Sequence, residues 1–80
     1  MEIKIYDICK SICCHDDIKI DDEWIALGWL NSYDMMELIS TLEDTFCITF
    51  SIDEITETNN FSTIRNIIAI VKNKLKRLHV

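Results

Sequence analysis

The sequence predicts a small all-α domain with three long helices, one short helix and a long first loop. The chain of 80 residues contains no Pro and only one Gly, which suits helices better than a series of tight β-turns. Hydrophobic residues make up 49% of the chain and charged residues 28%, a balance typical of a globular domain. Several segments repeat apolar residues at helical spacing. At this length we expect one domain that spans residues 1–80.

The first part of the chain is predicted to form a helix followed by a long loop. Ile5, Ile8 and Ile12 lie at helical spacing and indicate a first helix over residues 3–14. The next stretch, residues 15–29, shows no sustained period and is long for a connection. Its apolar residues are expected to hold it against the core: Ile18, Ile20, Trp24, Ile25 and Leu27.

The strongest local pattern indicates a second helix over about residues 32–46. Its core-facing positions follow the i, i+3/i+4 pattern of one helix face: Met35, Leu38, Ile39, Leu42 and Phe46. Asn31 is a good N-cap, and Asp34 favours the positive end of the helix dipole. Gly28 marks a turn just before the helix.

The remaining segments predict an extended connection, a short helix and a long last helix. Residues 47–52, CITFSI, alternate like a strand, but six residues without a partner strand do not make a stable sheet. We therefore expect a connection that buries Ile48 and Phe50. Ser51 or Asp53 would cap the short helix, which the ETNN segment ends. The last helix should begin near Ser62, with this inner face: Phe61, Ile64, Ile67, Ile68, Val71, Leu75 and Leu78.

The charge of −6 is unevenly distributed along the chain. Residues 21–60 contain ten acidic residues and no Lys or Arg, whereas five of the eight basic residues fall within residues 65–80. An acidic surface repels nucleic acid and anionic membranes, which disfavours both as partners. It favours association with proteins that present basic patches.

Apolar runs and cysteine spacing narrow the class of protein further. No apolar run approaches the ~18 residues of a membrane span, and the N-terminus lacks the apolar core of a signal peptide, so we expect a cytoplasmic protein without membrane insertion. The four cysteines match neither Cys-x-x-Cys nor a zinc spacing. They are expected to be reduced thiols, some of them in the core, and no metal site is predicted.

Ser32 lies in the first turn of the second predicted helix, before the first core-facing residue, Met35. Its side chain is therefore expected to face solvent beside the positive end of the helix dipole, where phosphate-bearing groups are favoured. Serine at a helix start is also commonly a cap or a filler. The position alone leaves both interpretations open.

Ser32 lies within the segment GWLNSYD, residues 28–34. This segment is similar to the Gly-hydrophobic-hydrophobic-Asp-Ser-hydrophobic-Asp motif of the phosphopantetheine attachment region in acyl carrier proteins. The segments LEDTF at 42–46, ITF at 48–50 and DEI at 53–55 follow in the order of the family, and residues 60–71 look like its final helix. The resemblance covers nearly the whole chain and is closest from Gly28 to Val71.

The resemblance implies a four-helix bundle of acyl-carrier type that performs no catalysis itself. A phosphopantetheinyl transferase would move 4′-phosphopantetheine from coenzyme A onto Ser32, and the thiol of the arm would carry an acyl or aminoacyl group as a thioester. The implied role is that of a stand-alone, monomeric acyl carrier in fatty-acid or related biosynthesis. Its partners would be the transferase and acyl- or aminoacyl-transferring enzymes with basic patches.

Rapid, weak encounters with such enzymes would use the acidic helix that follows Ser32. The resemblance and the helical geometry together nominate these partner-binding residues: Tyr33, Asp34, Met36, Glu37, Glu43 and Asp44.

Two residues depart from the family pattern. Asn31 stands where Asp is usual, which keeps a helix cap but removes one charge. Tyr33 replaces the Leu usual in fatty-acid carriers and looks more like the D-alanyl carriers of teichoic-acid modification, or other specialised aminoacyl carriers. The cargo therefore stays open between these classes.

Three other classes of protein compete with the carrier hypothesis. A serine hydrolase is disfavoured because Gly-x-Ser-x-Gly is absent and only His15 and His79 are available as bases. A calcium-binding loop is disfavoured because the acids near Asp53 lack its alternating ligands and central Gly. A non-enzymatic helical interaction module with an inert Ser32 stays open.

Overall fold

The computed structural model of the protein describes residues 2–14 and 17–78, apart from the side chains of Thr58, Arg77 and Leu78. Four α-helices follow one another along the chain: α1 (Glu2–Cys13), α2 (Ser32–Phe46), α3 (Ile52–Thr56) and α4 (Ile64–Leu78). A 3-10 helix, Thr58–Phe61, separates α3 from α4. No strand occurs in the described ranges. The expected all-α fold, with three long helices and one short one, is confirmed.

The core is built by apolar faces of α1, α2 and α4, and α1 packs against both of the other helices. Its most deeply buried helical residues are Ile5, Cys9, Leu38, Leu42, Ile64, Ile67 and Val71. Ile48 and Phe50 are also buried and lie in an extended connection, as the sequence predicted. Helix α3 contributes no buried residue and packs against the 3-10 helix.

The long first loop is fixed to the core through fewer side chains than the sequence predicted. Trp24 is fully buried, and its indole Nε1 donates a hydrogen bond of 2.7 Å to the carbonyl oxygen of Phe61. Ile18 is buried as well. The expectation for Ile25 and Leu27 was wrong, because these side chains are 38% and 54% exposed. Without a periodic pattern, the sequence did not show which apolar residues of the loop face outward.

Helix α4 begins at Ile64 rather than near Ser62, because the 3-10 helix and a bend occupy the preceding residues. Thr63 acts as the cap: its Oγ1 accepts a hydrogen bond of 3.1 Å from the backbone N–H of Asn66. The predicted inner face is otherwise correct. Its members Phe61, Ile64, Ile67 and Val71 are buried, Ile68 and Leu75 are half-buried, and the side chain of Leu78 lies outside the described part of the structure.

Three ion pairs attach α4 to three other parts of the fold. They join Arg65 to Asp21 of the first loop, Lys72 to Glu2 of α1, and Lys74 to Glu54 of α3. The Arg65–Asp21 pair is bidentate, with distances of 2.6 and 3.1 Å. In each pair the pKa of the carboxyl group is lowered, and the largest cause is the hydrogen bond that the cation donates to it.

The cysteines follow the prediction of free thiols, some of them in the core. Cys9 and Cys13 are buried, and Cys14 and Cys47 are exposed. Burial, followed by the neighbouring Cys13, raises the pKa of the Cys9 thiol to about 12, so this thiol stays protonated. Within the described ranges, none of the helices combines the length and the hydropathy that a membrane span requires.

Candidate functional site at the start of helix α2

The start of α2 is shaped by a glycine turn and an asparagine cap. Gly28 has a φ of +77°, a conformation that glycine adopts without a Cβ penalty. Asn31 is extended, with φ −96° and ψ 179°, and its Oδ1 accepts a hydrogen bond of 2.8 Å from the backbone N–H of Asp34. The predicted cap is therefore confirmed, and it fixes where the helix begins.

Ser32 is the first residue of α2 and its side chain is exposed. Because Asn31 already caps the helix, Ser32 is not needed for that role. Its hydroxyl makes no hydrogen bond to another side chain or to the backbone within the described ranges. The backbone N–H groups of Ser32 and Tyr33 lie in the first turn, where the helix dipole is positive. Such a hydroxyl is accessible to an enzyme that would esterify it with a phosphate group.

The exposed face of α2 continues from the serine and carries two large apolar side chains. Tyr33 is 77% exposed and Met36 is 73% exposed. Both line an open groove whose other walls include Glu37, Ser40 and Asp44. These positions recur at intervals of three or four residues, so they form one stripe along the helix. We call this stripe, Tyr33, Met36, Glu37, Ser40 and Asp44, the outer face of α2.

Three acids of α2 have no ionic partner among the described residues. The carboxylates of Asp34, Glu37 and Asp44 take part in no ion pair or side-chain hydrogen bond there. Asp34 is half-buried, whereas Glu37 and Asp44 are exposed. Carboxylates arranged in this way attract a basic surface without first losing an internal contact.

Glu43 differs from the other acids of α2. It is half-buried, and its Oε2 accepts a hydrogen bond of 2.9 Å from the backbone N–H of Phe50. The side chain therefore ties the extended connection to the end of α2. No local pattern in the sequence predicts this contact, which joins residues seven positions apart across a left-handed turn at Cys47.

Of the competing classes, the described part of the chain bears only on the calcium-binding loop. His15 and His79, the bases that a serine hydrolase would need, lie outside the described residues. The described His, Cys, Asp and Glu residues form no group of three or more that would hold a metal ion.

The fold and the site together define a class: a small helical domain that presents one accessible serine hydroxyl at the start of an acidic helix. The family model described as "Phosphopantetheine attachment site" matches residues 4–71, and the chain belongs to this family. Membership implies a covalently attached 4′-phosphopantetheine group, and the exposed hydroxyl of Ser32 fits attachment of a phosphate-linked arm. No curated protein gives a significant match to the chain.

Membership of the family establishes the general function. The protein is a phosphopantetheine carrier, and domains of this kind generally carry intermediates rather than catalyse their conversion. Carriers of this family interact in general with a phosphopantetheinyl transferase and with acyl-handling enzymes.

Proposed function

We propose that Ser32 is the residue that bears the 4′-phosphopantetheine arm, and that the protein is a stand-alone carrier of acyl intermediates in fatty-acid or related biosynthesis. One observation carries the assignment: the Ser32 hydroxyl is exposed in the first turn of α2 while Asn31 performs the capping. A serine hydroxyl at this position that neither caps the helix nor makes another hydrogen bond among the described residues is available for modification.

The surroundings of Ser32 suit a phosphodiester. The first N–H groups of a helix favour negatively charged oxygens, and α2 offers them beside the hydroxyl. In the transfer, a bond forms between Ser32 Oγ and the phosphorus of the pantetheine phosphate. The pyrophosphate bond of coenzyme A breaks, adenosine 3′,5′-bisphosphate leaves, and the hydroxyl proton passes to a base of the transferase. Once attached, the group supplies a thiol that holds acyl cargo as a thioester.

The body of α2 gives this attachment point a fixed position. Leu38 and Leu42 are fully buried on the opposite side of the helix from the outer face. The serine is therefore held in position by its helix, and its exposed hydroxyl leaves room for an arm attached there. A flexible arm on a rigid base allows one cargo to reach several enzymes in turn.

The outer face of α2 supports recognition by partner enzymes. Tyr33 and Met36 offer exposed apolar area close to the serine, and Asp34, Glu37 and Asp44 offer carboxylates without internal partners. Such a surface favours basic patches and fast, weak association by a monomeric carrier. Glu43 stays in the predicted set, although its hydrogen bond to Phe50 leaves less of its carboxylate available.

A D-alanyl or other aminoacyl carrier is the second candidate function. The exposed aromatic ring of Tyr33, directly after Ser32, favours it, because Tyr33 stands where fatty-acid carriers usually have Leu and its ring is accessible to a docking enzyme. Loading assays on the phosphopantetheinylated protein distinguish the two: an acyl ligase should load the fatty-acid type, and a D-alanine ligase the aminoacyl type.

The attachment itself is tested by intact-mass measurement after incubation with coenzyme A and a promiscuous phosphopantetheinyl transferase. We expect the wild-type chain to gain one phosphopantetheine, and the Ser32→Ala variant to gain none. Ser40→Ala, which removes another exposed serine from the same helix but keeps Ser32, serves as the matched control and should still gain one phosphopantetheine. An unmodified wild-type chain would favour the helical interaction module instead.

A further inference from the structure

A second open groove lies beside the outer face, where α2 packs against α1. Its volume is about 480 Å³, and Ile8 and Ile12 of α1 form its apolar floor. Lys4, Asp7 and Ser11 line it from α1, and Glu37 and Thr41 line it from α2. We call these residues the α1–α2 groove.

The two grooves of α2 are separated by a single ridge. Glu37 and Thr41 line both of them, and Thr41 Oγ1 donates a hydrogen bond of 2.8 Å to the carbonyl oxygen of Glu37, which fixes the threonine side chain. Glu37 lies five residues after Ser32, a rise of about 7.5 Å along the helix. A molecule in the α1–α2 groove would therefore lie beside the root of the arm without covering the serine.

The chemistry of the groove selects its occupant. The floor is apolar and half-buried, and the rim carries Asp7 and Glu37, whose carboxylates have no ionic partner in the described part of the chain. From Lys4 to Ile12 the groove follows α1 for about 12 Å, which is the length of two turns of a helix. The complementary shape and charge are those of an amphipathic helix that presents apolar residues flanked by cations.

We propose that the α1–α2 groove docks a basic amphipathic helix of a partner protein, and that partner recognition extends across α2 from the outer face into this groove. The inference rests on the proposed carrier function, since a carrier must hold its partner near the arm. Apolar side chains of the partner helix enter between Ile8 and Ile12, and its cations meet Asp7 and Glu37. Lys4, at one end, sets the direction of the helix by repelling cations there.

The test uses the unmodified full chain, labelled with ¹⁵N, and a short synthetic amphipathic peptide with leucines on one face and lysines on the other. A peptide of the same composition in scrambled order controls for general attraction between opposite charges. We expect the amphipathic peptide to shift the amide signals of Ser11, Ile12 and Thr41 most strongly. Changes confined to Tyr33, Met36 and Asp44, or equal changes with the scrambled peptide, would overturn the proposal.

Two pairs of variants sharpen the test. Ser11→Tyr fills the groove from its exposed rim and should weaken peptide binding about tenfold, whereas Thr49→Tyr, at an exposed position outside both grooves, should change it less than about twofold. Asp7→Asn should weaken binding about two- to fivefold, and Asp17→Asn, an exposed acid outside the groove, should leave it unchanged. Equal effects within either pair would contradict the assignment.

Phosphopantetheine transfer, measured on the same samples, separates the two proposals. Modification on Ser32 without peptide binding in the groove would support the carrier function and contradict the docking proposal. Absence of modification removes the attachment proposal, whatever the peptide does.

Discussion

Helices α2 and α4 are both 15 residues long, but they use their charged side chains differently. All three ion pairs among the described residues involve α4. Asp34, Glu37 and Asp44 of α2 take part in none of them. Charged side chains on a helix surface either attach the helix to the rest of the fold or remain available for a partner, and only their contacts distinguish the two uses.

The exposure of the ion pairs refines this comparison. The Arg65–Asp21 side chains are 60% and 68% exposed, so water screens their attraction and they add little stability. The Lys74–Glu54 pair is more sheltered, at 16% and 28%, and the Lys74 ammonium also lies 5.1 Å from the centre of the Phe50 ring. Helix α3 buries no residue of its own, and this pair joins it to α4.

Substitutions on the buried side and on the exposed side of α2 should differ most in the free energy of unfolding. Leu38→Ala should lower the free energy of unfolding by about 2–5 kcal/mol, because Leu38 is fully buried. Met36→Ala, on the outer face, should change it by less than about 0.5 kcal/mol. Denaturant unfolding followed by circular dichroism measures both. A comparable loss in the two variants would mean that the outer face contributes to the fold.

Loss of the ion pair between Lys74 of α4 and Glu54 of α3 should have the next largest effect on stability. Lys74→Met keeps most of the aliphatic stem but removes the charge, and should lower the free energy of unfolding by about 1 kcal/mol. Lys76→Met removes an exposed cation from the same helix and should have no measurable effect. If Lys76→Met proved as costly as Lys74→Met, general charge rather than the specific pair would stabilise α4.

The pH dependence of stability tests the same pair. Hydrogen bonding to Lys74, and then to the backbone of Ser51, lowers the pKa of Glu54 below its usual 4.5. Its contribution to stability is therefore fully present above pH 4.5 and is lost as the pH falls through the lowered value in the folded state. The difference in unfolding free energy between wild type and Glu54→Gln should therefore shrink as the pH falls from 4.5 through the lowered pKa of Glu54. In a Lys74→Met background the difference should be smaller at neutral pH.

Neutralising the acids of the outer face should have the smallest effect on stability, but it should slow phosphopantetheine transfer. The double variant Glu37→Gln, Asp44→Asn should reduce kcat/KM for phosphopantetheine transfer about two- to tenfold, because it removes two charges that attract a basic partner. Its free energy of unfolding should stay within about 0.5 kcal/mol of the wild type. The reduction should diminish at high salt. Unchanged transfer kinetics at low salt would remove the outer face from the partner-binding surface.

The sequence was most informative where a local rule decides the structure. Asn31 caps α2 as predicted, because a side chain needs only its own backbone neighbours to perform that role. Ser51 likewise caps α3, and together with Glu54 it forms a complete capping box. The apolar period of α2 correctly predicted that Leu38, Ile39 and Leu42 are buried, because spacing along the chain decides which residues share one face of a helix.

The sequence was least informative where contacts join distant segments. The pair of Asp21 and Arg65 spans 44 residues, and the indole bond of Trp24 to Phe61 spans 37. Neither follows from spacing along the chain. The exposure of Leu27 was missed because the first loop has no period from which to infer a buried face. The α1–α2 groove also appears only after the two helices have packed.

The assignment of Ser32 as the attachment residue is decided by tandem mass spectrometry of peptides from the transferase-treated protein, because this measurement locates the added group on one residue. We predict that the fragment ions place the group on Ser32. A group on another serine, such as Ser40 or Ser51, or an entirely unmodified peptide containing Ser32, would contradict the claim.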